Sequence, residues 1–175
     1  NIIGHPNVGK STLMNQLVGE KLSIITPKAQ TTRHRILGIV NKEEYQIIYS
    51  DTPGIVDPAY KMQEGMMKFV YTSLEDADVL VLMVEFGQKD LKNEKLERRL
   101  AEIESPILLL INKLDLTDQE AMENSVGLWS EKFPKAEVFP ISALHGFNID
   151  FLQKRVLELL PESPPYYPKD NYTDK

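Results

Sequence analysis

The run Gly4-His5-Pro6-Asn7-Val8-Gly9-Lys10-Ser11 has the spacing Gly-x-x-x-x-Gly-Lys-Ser, and each constrained position has a task in holding a polyphosphate. Glycines let backbone N–H groups close around an anion where a Cβ would block the approach. Lys10 brings a compact, mobile ammonium to the β and γ phosphates, and the Ser11 hydroxyl is a hard oxygen ligand for Mg²⁺. From Thr12 the chain reads as a helix with Leu13 and Leu17 on its apolar face, so its positive end points at the anion. Ile2-Ile3 reads as the end of a buried strand, which completes the strand–loop–helix context that this loop requires.

Three further polar loops fit the same ligand. Asp51-Thr52-Pro53-Gly54 ends a β-rich run. Mg²⁺ prefers six oxygens in octahedral order, and Asp51 is placed to hold the ion through a water. The Gly54 N–H, next to Ile55, is placed to bond the γ phosphate, so this loop can report whether that phosphate is present. Thr31 and Thr32 are both candidates for a second hydroxyl ligand, with Thr32 preferred.

Asn112-Lys113-Leu114-Asp115 addresses the base. A carboxylate at Asp115 accepts from the N1–H and N2–H₂ of guanine, a pair that adenine does not present, and such a site discriminates strongly. The Asn112 amide suits the N7 side and the Lys113 stem suits the ring face. Backbone N–H groups of Ser142-Ala143-Leu144 are expected to reach guanine O6. The ligand expected is GTP or GDP. The expected catalytic set is Lys10, Gly54 and Thr32, with Mg²⁺ on Ser11, Thr32 and Asp51.

These loops need a scaffold that converges them. Val79–Val84 and Ile107–Ile111 are unbroken apolar runs, the pattern of buried parallel strands. Arg35–Val40 and Tyr45–Ser50 read as an antiparallel hairpin, and Val138–Ile141 as a last short strand. Helices are expected over 62–74, 91–104 (Leu91, Leu96, Leu100 and Ile103 inward), 118–133 and 149–160, with Gly19 closing the helix after the phosphate loop. Alternating strands and helices define an α/β fold, a mostly parallel six-stranded sheet with one antiparallel strand and helices on both faces. Ligands of such sheets bind at the carboxyl ends of the strands, and all four loops follow strands.

The totals are consistent with this. The chain has 175 residues, 42% hydrophobic and 26% charged, without cysteine, so disulfides and thiolate metal sites are excluded. A net charge of −6 argues against a strong nucleic-acid binder acting through electrostatics alone. His5, His34 and His145 have no partner at metal spacing and read as non-catalytic. No apolar run approaches the roughly 18 residues of a membrane span, and no signal peptide is seen, which fits a cytoplasmic protein. Residues 1–160 read as one nucleotide-binding domain whose first strand is expected to be truncated. Residues 161–175 carry four of the 11 prolines, all of them within Pro161–Pro168, and read as an extended linker or tail.

Four such loops in this order resemble the P-loop GTPases (P-loop NTPase fold). The run Lys28-Ala29-Gln30-Thr31-Thr32-Arg33-His34-Arg35 narrows the resemblance to the G domains of the Era-type family, bacterial GTPases of ribosome assembly. The resemblance implies GTP hydrolysis and a linker leading to a C-terminal RNA-binding KH domain absent from this sequence. It further implies small-subunit ribosomal RNA and the 30S subunit as partners, and peripheral association with the inner face of the cell membrane. A Ras-type enzyme places a water-orienting glutamine after Gly54; Ile55 stands here instead. The resemblance suggests that Asn7 helps bind K⁺ near the phosphates, in the place of an arginine finger. In the expected cycle GTP orders Glu20–His34 and Ile55–Lys61, and hydrolysis releases them. The alternatives are a nucleotide sensor or assembly factor with incidental turnover, and a P-loop ATPase.

Overall fold

The computed structural model describes residues 1–4, 8–18, 36–41, 45–51, 67–68, 70–72, 74–75, 77–113 and 118–161. In chain order these form β1 (Ile2–Gly4), α1 (Lys10–Val18), β2 (Ile36–Asn41), β3 (Gln46–Asp51), β4 (Leu80–Glu85), α2 (Glu94–Glu102), β5 (Ile107–Asn112), α3 (Gln119–Lys132), β6 (Glu137–Pro140) and α4 (Ile149–Leu159). Residues 67–68, 70–72 and 74–75 are also helical, where the helix over 62–74 is expected.

The strands make one six-stranded sheet in the order β2-β3-β1-β4-β5-β6. β2 pairs antiparallel with β3, and every other pair is parallel. The expected sheet, one antiparallel strand included, is therefore present. Pairing with β4 reaches back to Asn1, whose carbonyl accepts from the Val81 N–H at 2.8 Å.

β4 and β5 are buried on both faces, so their side chains alternate between two cores instead of between core and water. Val79, Val81, Met83, Leu108 and Leu110 pack with Leu13 and Leu17 of α1 and Leu152 and Val156 of α4. Leu80, Leu82, Val84, Leu109 and Ile111 pack on the other face with Met67, Val70 and Leu74, with Leu96 and Leu100 of α2, and with Met122 and Trp129 of α3. Each fully buried side chain of this kind contributes about 1.5–3 kcal/mol.

One helix begins later than its pattern suggests. Leu91 is fully buried, but α2 starts at Glu94 because Asn93 caps it, its side chain accepting from the Leu96 N–H at 3.1 Å. Ile103 is extended and partly buried beyond the helix end.

β1 lies between β3 and β4, and chain direction makes their carboxyl ends share one edge. That edge holds Gly4, the backbone of Asp51, Glu85, Asn112 and, after β6, Ser142. The four motif-bearing loops thus leave from one side of the sheet.

Candidate functional site

Gly4 ends β1 with its Cα against Met83 of β4, so close that an added Cβ would stand 2.6 Å from the Met83 carbonyl oxygen. Only glycine allows this approach. Val8 then turns its side chain into the core at 2% exposure, which pins the middle of the loop to the sheet. Gly9 has φ +106°, a conformation that L side chains rarely adopt, and a Cβ there would collide with the Asn112 amide nitrogen. The Leu13 N–H donates to the Gly9 carbonyl at 2.9 Å and starts the helical ladder of α1.

First-turn N–H groups of a helix lie outside its own ladder and point along the axis. Ser11 and Thr12 stand in that turn of α1 and are exposed at the carboxyl edge. The first turn of α1 holds no acidic residue, whereas α2 has Glu94 and Glu97, α3 has Glu120 and α4 has Asp150. The positive end of α1 is therefore not neutralised by its own sequence, as an external anion requires.

Asn112 joins three of the loops. It is 5% exposed. Its Nδ2 donates to the Val8 carbonyl at 2.7 Å and its Oδ1 accepts from the Ala143 N–H at 2.9 Å. The sequence assigns this amide to the N7 side of a base. In the structure it clamps the phosphate loop to the loop after β6, and its second amide hydrogen has no partner among the described residues.

The 142–147 turn is itself tightly held. Ser142 and Phe147 exchange backbone hydrogen bonds at 3.2 and 3.0 Å, and Asn148 Nδ2 donates to the Pro140 carbonyl at 2.8 Å. The His145 N–H donates to Ser142 Oγ. The Ser142 N–H is taken by Phe147 and the Ala143 N–H by Asn112, so the Leu144 N–H is the backbone donor of this triplet without a partner among the described residues, beside a side chain that is 70% exposed. Lys113 follows Asn112 at φ +73° and its Nζ meets Glu85 Oε2 at 2.5 Å. Sequence reasoning missed Glu85, whose one signal is a carboxylate closing an otherwise apolar strand.

Gly4, Val8, Gly9, Lys10, Ser11, Thr12, Asn112, Lys113, Ser142, Ala143 and Leu144 are thus brought to one edge. His5, Pro6, Asn7, Thr31, Thr32, Thr52, Pro53, Gly54, Ile55, Leu114 and Asp115 lie outside the described residues, as do Gly19, the 20–34 stretch and the side chain of Asp51. Among the described residues no helix is long and apolar enough to cross a membrane.

A glycine-shaped loop between β1 and an unneutralised helix N-terminus, clamped by Asn112 at the end of β5 to the loop after β6, has the form of the P-loop fold class. Residues 1–113 match the family described as 50S ribosome-binding GTPase, and the chain belongs to that family. Within it the chain is similar to GTPase Era of Alkaliphilus metalliredigens, 44% identical over 99% of this chain and 59% of that protein. GTPase Era of Carboxydothermus hydrogenoformans is 42% identical over 99% and 58%. Two solved structures agree. A single-residue variant of Aquifex aeolicus Era bound to GDP and AlF4⁻ superposes with a TM-score of 0.82 at 40% identity, over 99% of this chain and 60% of that one. Era in complex with MgGDPNP and nucleotides 1506–1542 of 16S ribosomal RNA gives 0.84 at 40% identity over the same shares. The chain spans about three-fifths of the length of these relatives.

Proposed function

We propose that residues 1–160 bind GTP and GDP and hydrolyse GTP to GDP and phosphate, as the switch domain of a ribosome-assembly GTPase. The observation that carries this reading is the Asn112 amide, which couples the loop built for phosphates to the loops built for a base. Guanine is read by the Asp115 carboxylate, with the Lys113 stem on the ring and the Leu144 N–H toward O6. Leu114, Ser142 and Ala143 shape the same wall.

Phosphoryl transfer to water needs positioning and charge neutralisation more than covalent help. His5, Pro6, Asn7 and Val8 frame the phosphate loop, and the N–H groups from Gly9 to Thr12 hold the phosphates. The Lys10 ammonium draws off charge that develops between the β and γ positions. Ser11, Thr32 and Asp51 would hold Mg²⁺, and the exposed Ser11 hydroxyl in the first turn of α1 fits a hard-cation ligand. Mg²⁺ bound there would neutralise phosphate oxygens. Thr52 and Pro53 set the approach of the Gly54 N–H to the γ phosphate. Ile55 supplies no polar group to orient water, so Asn7 with K⁺ is assigned that electrostatic role. The MgGDPNP-bound and GDP–AlF4⁻-bound relatives support the Mg²⁺-nucleotide part.

The 16S ribosomal RNA in the related complex supports small-subunit RNA and the 30S subunit as partners of the protein to which this domain belongs. Residues 161–175 serve as a proline-rich linker, and peripheral membrane association accompanies a cytoplasmic location. The test is phosphate release from GTP by the chain with Mg²⁺, with chelator, and with potassium against sodium. Mg²⁺-dependent release supports the reading, no release overturns the activity, and equal rates in the two salts remove the K⁺ role of Asn7.

A further inference from the structure

We infer that Glu85 is a positioning residue for the guanine nucleotide, acting through Lys113, and the inference rests on the nucleotide-binding reading of this site. Glu85 closes β4, and its Cα partner across the sheet is Asn112 of β5. The next N–H, that of Phe86, donates to the Asn112 carbonyl at 3.0 Å, so the backbones of the two strand ends are locked together. Immediately after Asn112, Lys113 takes φ +73°. This is the left-handed region, unusual for a long side chain, and it is where the chain leaves β5 with Lys113 turned to the Glu85 carboxylate.

Contact between Lys113 Nζ and Glu85 Oε2 at 2.5 Å therefore joins two strand ends on the ligand edge. Glu85 is held from its own side as well. Its N–H donates to Gln88 Oε1 at 3.3 Å, and Gln88 Nε2 donates to the Asp90 carbonyl at 3.0 Å, so the turn after β4 is braced around it. A cavity of about 640 Å³ opens beside this turn and is lined by both Glu85 and Val8 of the phosphate loop. Glu85 thus contacts the lysine assigned to the base and borders the same cavity as Val8 of the loop assigned to phosphate.

Both side chains are 39% exposed, so water screens the pair and its direct attraction is small. Its effect is geometric. A lysine stem free in solution samples many rotamers, whereas one tethered at its head presents the same methylene surface to every incoming base. Binding of GTP and GDP gains equally, because the γ phosphate lies at the other end of the ligand. This is uniform binding, which moves KM and leaves kcat in place.

The experiment is fluorescent-GDP affinity and steady-state GTP hydrolysis for the chain, Glu85→Gln, Glu85→Asp, Lys113→Met and the double variant Glu85→Gln/Lys113→Met. Glu85→Gln is expected to weaken GDP and GTP alike by about 5–10-fold, equivalent to about 1–1.4 kcal/mol, raising KM with kcat retained. Glu85→Asp should recover part of the loss. The double variant should bind no more weakly than Lys113→Met alone, and Glu85→Gln should melt with the parent in the absence of nucleotide. Unchanged or tighter binding by Glu85→Gln, additive losses in the double variant, or a fall in kcat overturns the inference. If the parent chain binds no guanine nucleotide, the nucleotide-site reading itself falls; if it binds and Glu85→Gln matches it, only the role of Glu85 does.

Discussion

Replacing Asn112 with alanine removes one side chain and strands two backbone groups. The Val8 carbonyl loses a donor at 2.7 Å, and the Ala143 N–H loses an acceptor at 2.9 Å, both at a side chain 5% exposed. A buried group left unsatisfied costs about 1–3 kcal/mol, so the two together reach about 2–6 kcal/mol. Water entering the vacancy from the ligand edge will offset part of that, which brings the expected loss to about 3 kcal/mol. Denaturant unfolding of the nucleotide-free chain reads it as a lower midpoint at constant slope. Asn112→Asp separates the two contacts. A carboxylate still accepts from Ala143 but has no N–H for Val8, and it sets negative charge against a carbonyl oxygen. It is expected to lose at least as much stability as alanine does. A loss under about 0.5 kcal/mol for both variants, the range of ordinary surface substitutions, would refute the clamp.

Other positions lead to separate expectations. Gly9→Ala adds a Cβ into the Asn112 amide at a φ of +106°, so it should destabilise by about 1–3 kcal/mol and abolish nucleotide binding; wild-type affinity for GDP by equilibrium titration would contradict the close approach. Tyr49 is buried with no hydrogen-bond partner for its hydroxyl among the described residues, and burial, with Tyr45 adding, raises its phenol above the usual value. A raised folded-state value means its neutral form stabilises the fold fully below about pH 10, and that contribution is lost as pH rises further. Tyr49→Phe should then leave neutral-pH stability unchanged or higher and lessen the alkaline loss in melts above pH 10; a neutral-pH loss above about 1 kcal/mol would show an unseen hydrogen bond. Asp115→Asn should move nucleotide preference toward xanthine, and competition assays that still favour guanine would count against the base assignment.

The scaffold was legible because its signals are local. Val79–Val84 and Ile107–Ile111 lack alternation since both faces of these strands are covered, and the phosphate loop carries its glycines where Met83 and Asn112 crowd the backbone. The start of α2 was harder. Leu91 is as buried as Leu96, so periodicity alone includes it in the helix, while the capping Asn93 with Glu94 and Glu97 behind it marks the true start. The clamp was not legible at all: Asn112 meets partners 104 and 31 residues away, a closeness set only by sheet order. Glu85 was hidden for the same reason, since a lone acid at a strand end reads as solvated until Lys113 is seen to turn toward it.

The central claim is that one edge of the sheet holds a guanine nucleotide from its phosphates to its base. Competition of GDP, GTP and ATP against a fluorescent guanine nucleotide bound to the 175-residue chain tests it most directly. GDP and GTP should displace the probe, with ATP weaker by about 10⁴-fold or more, the discrimination expected when a buried polar site is left unmatched. Comparable displacement by ATP would contradict the account.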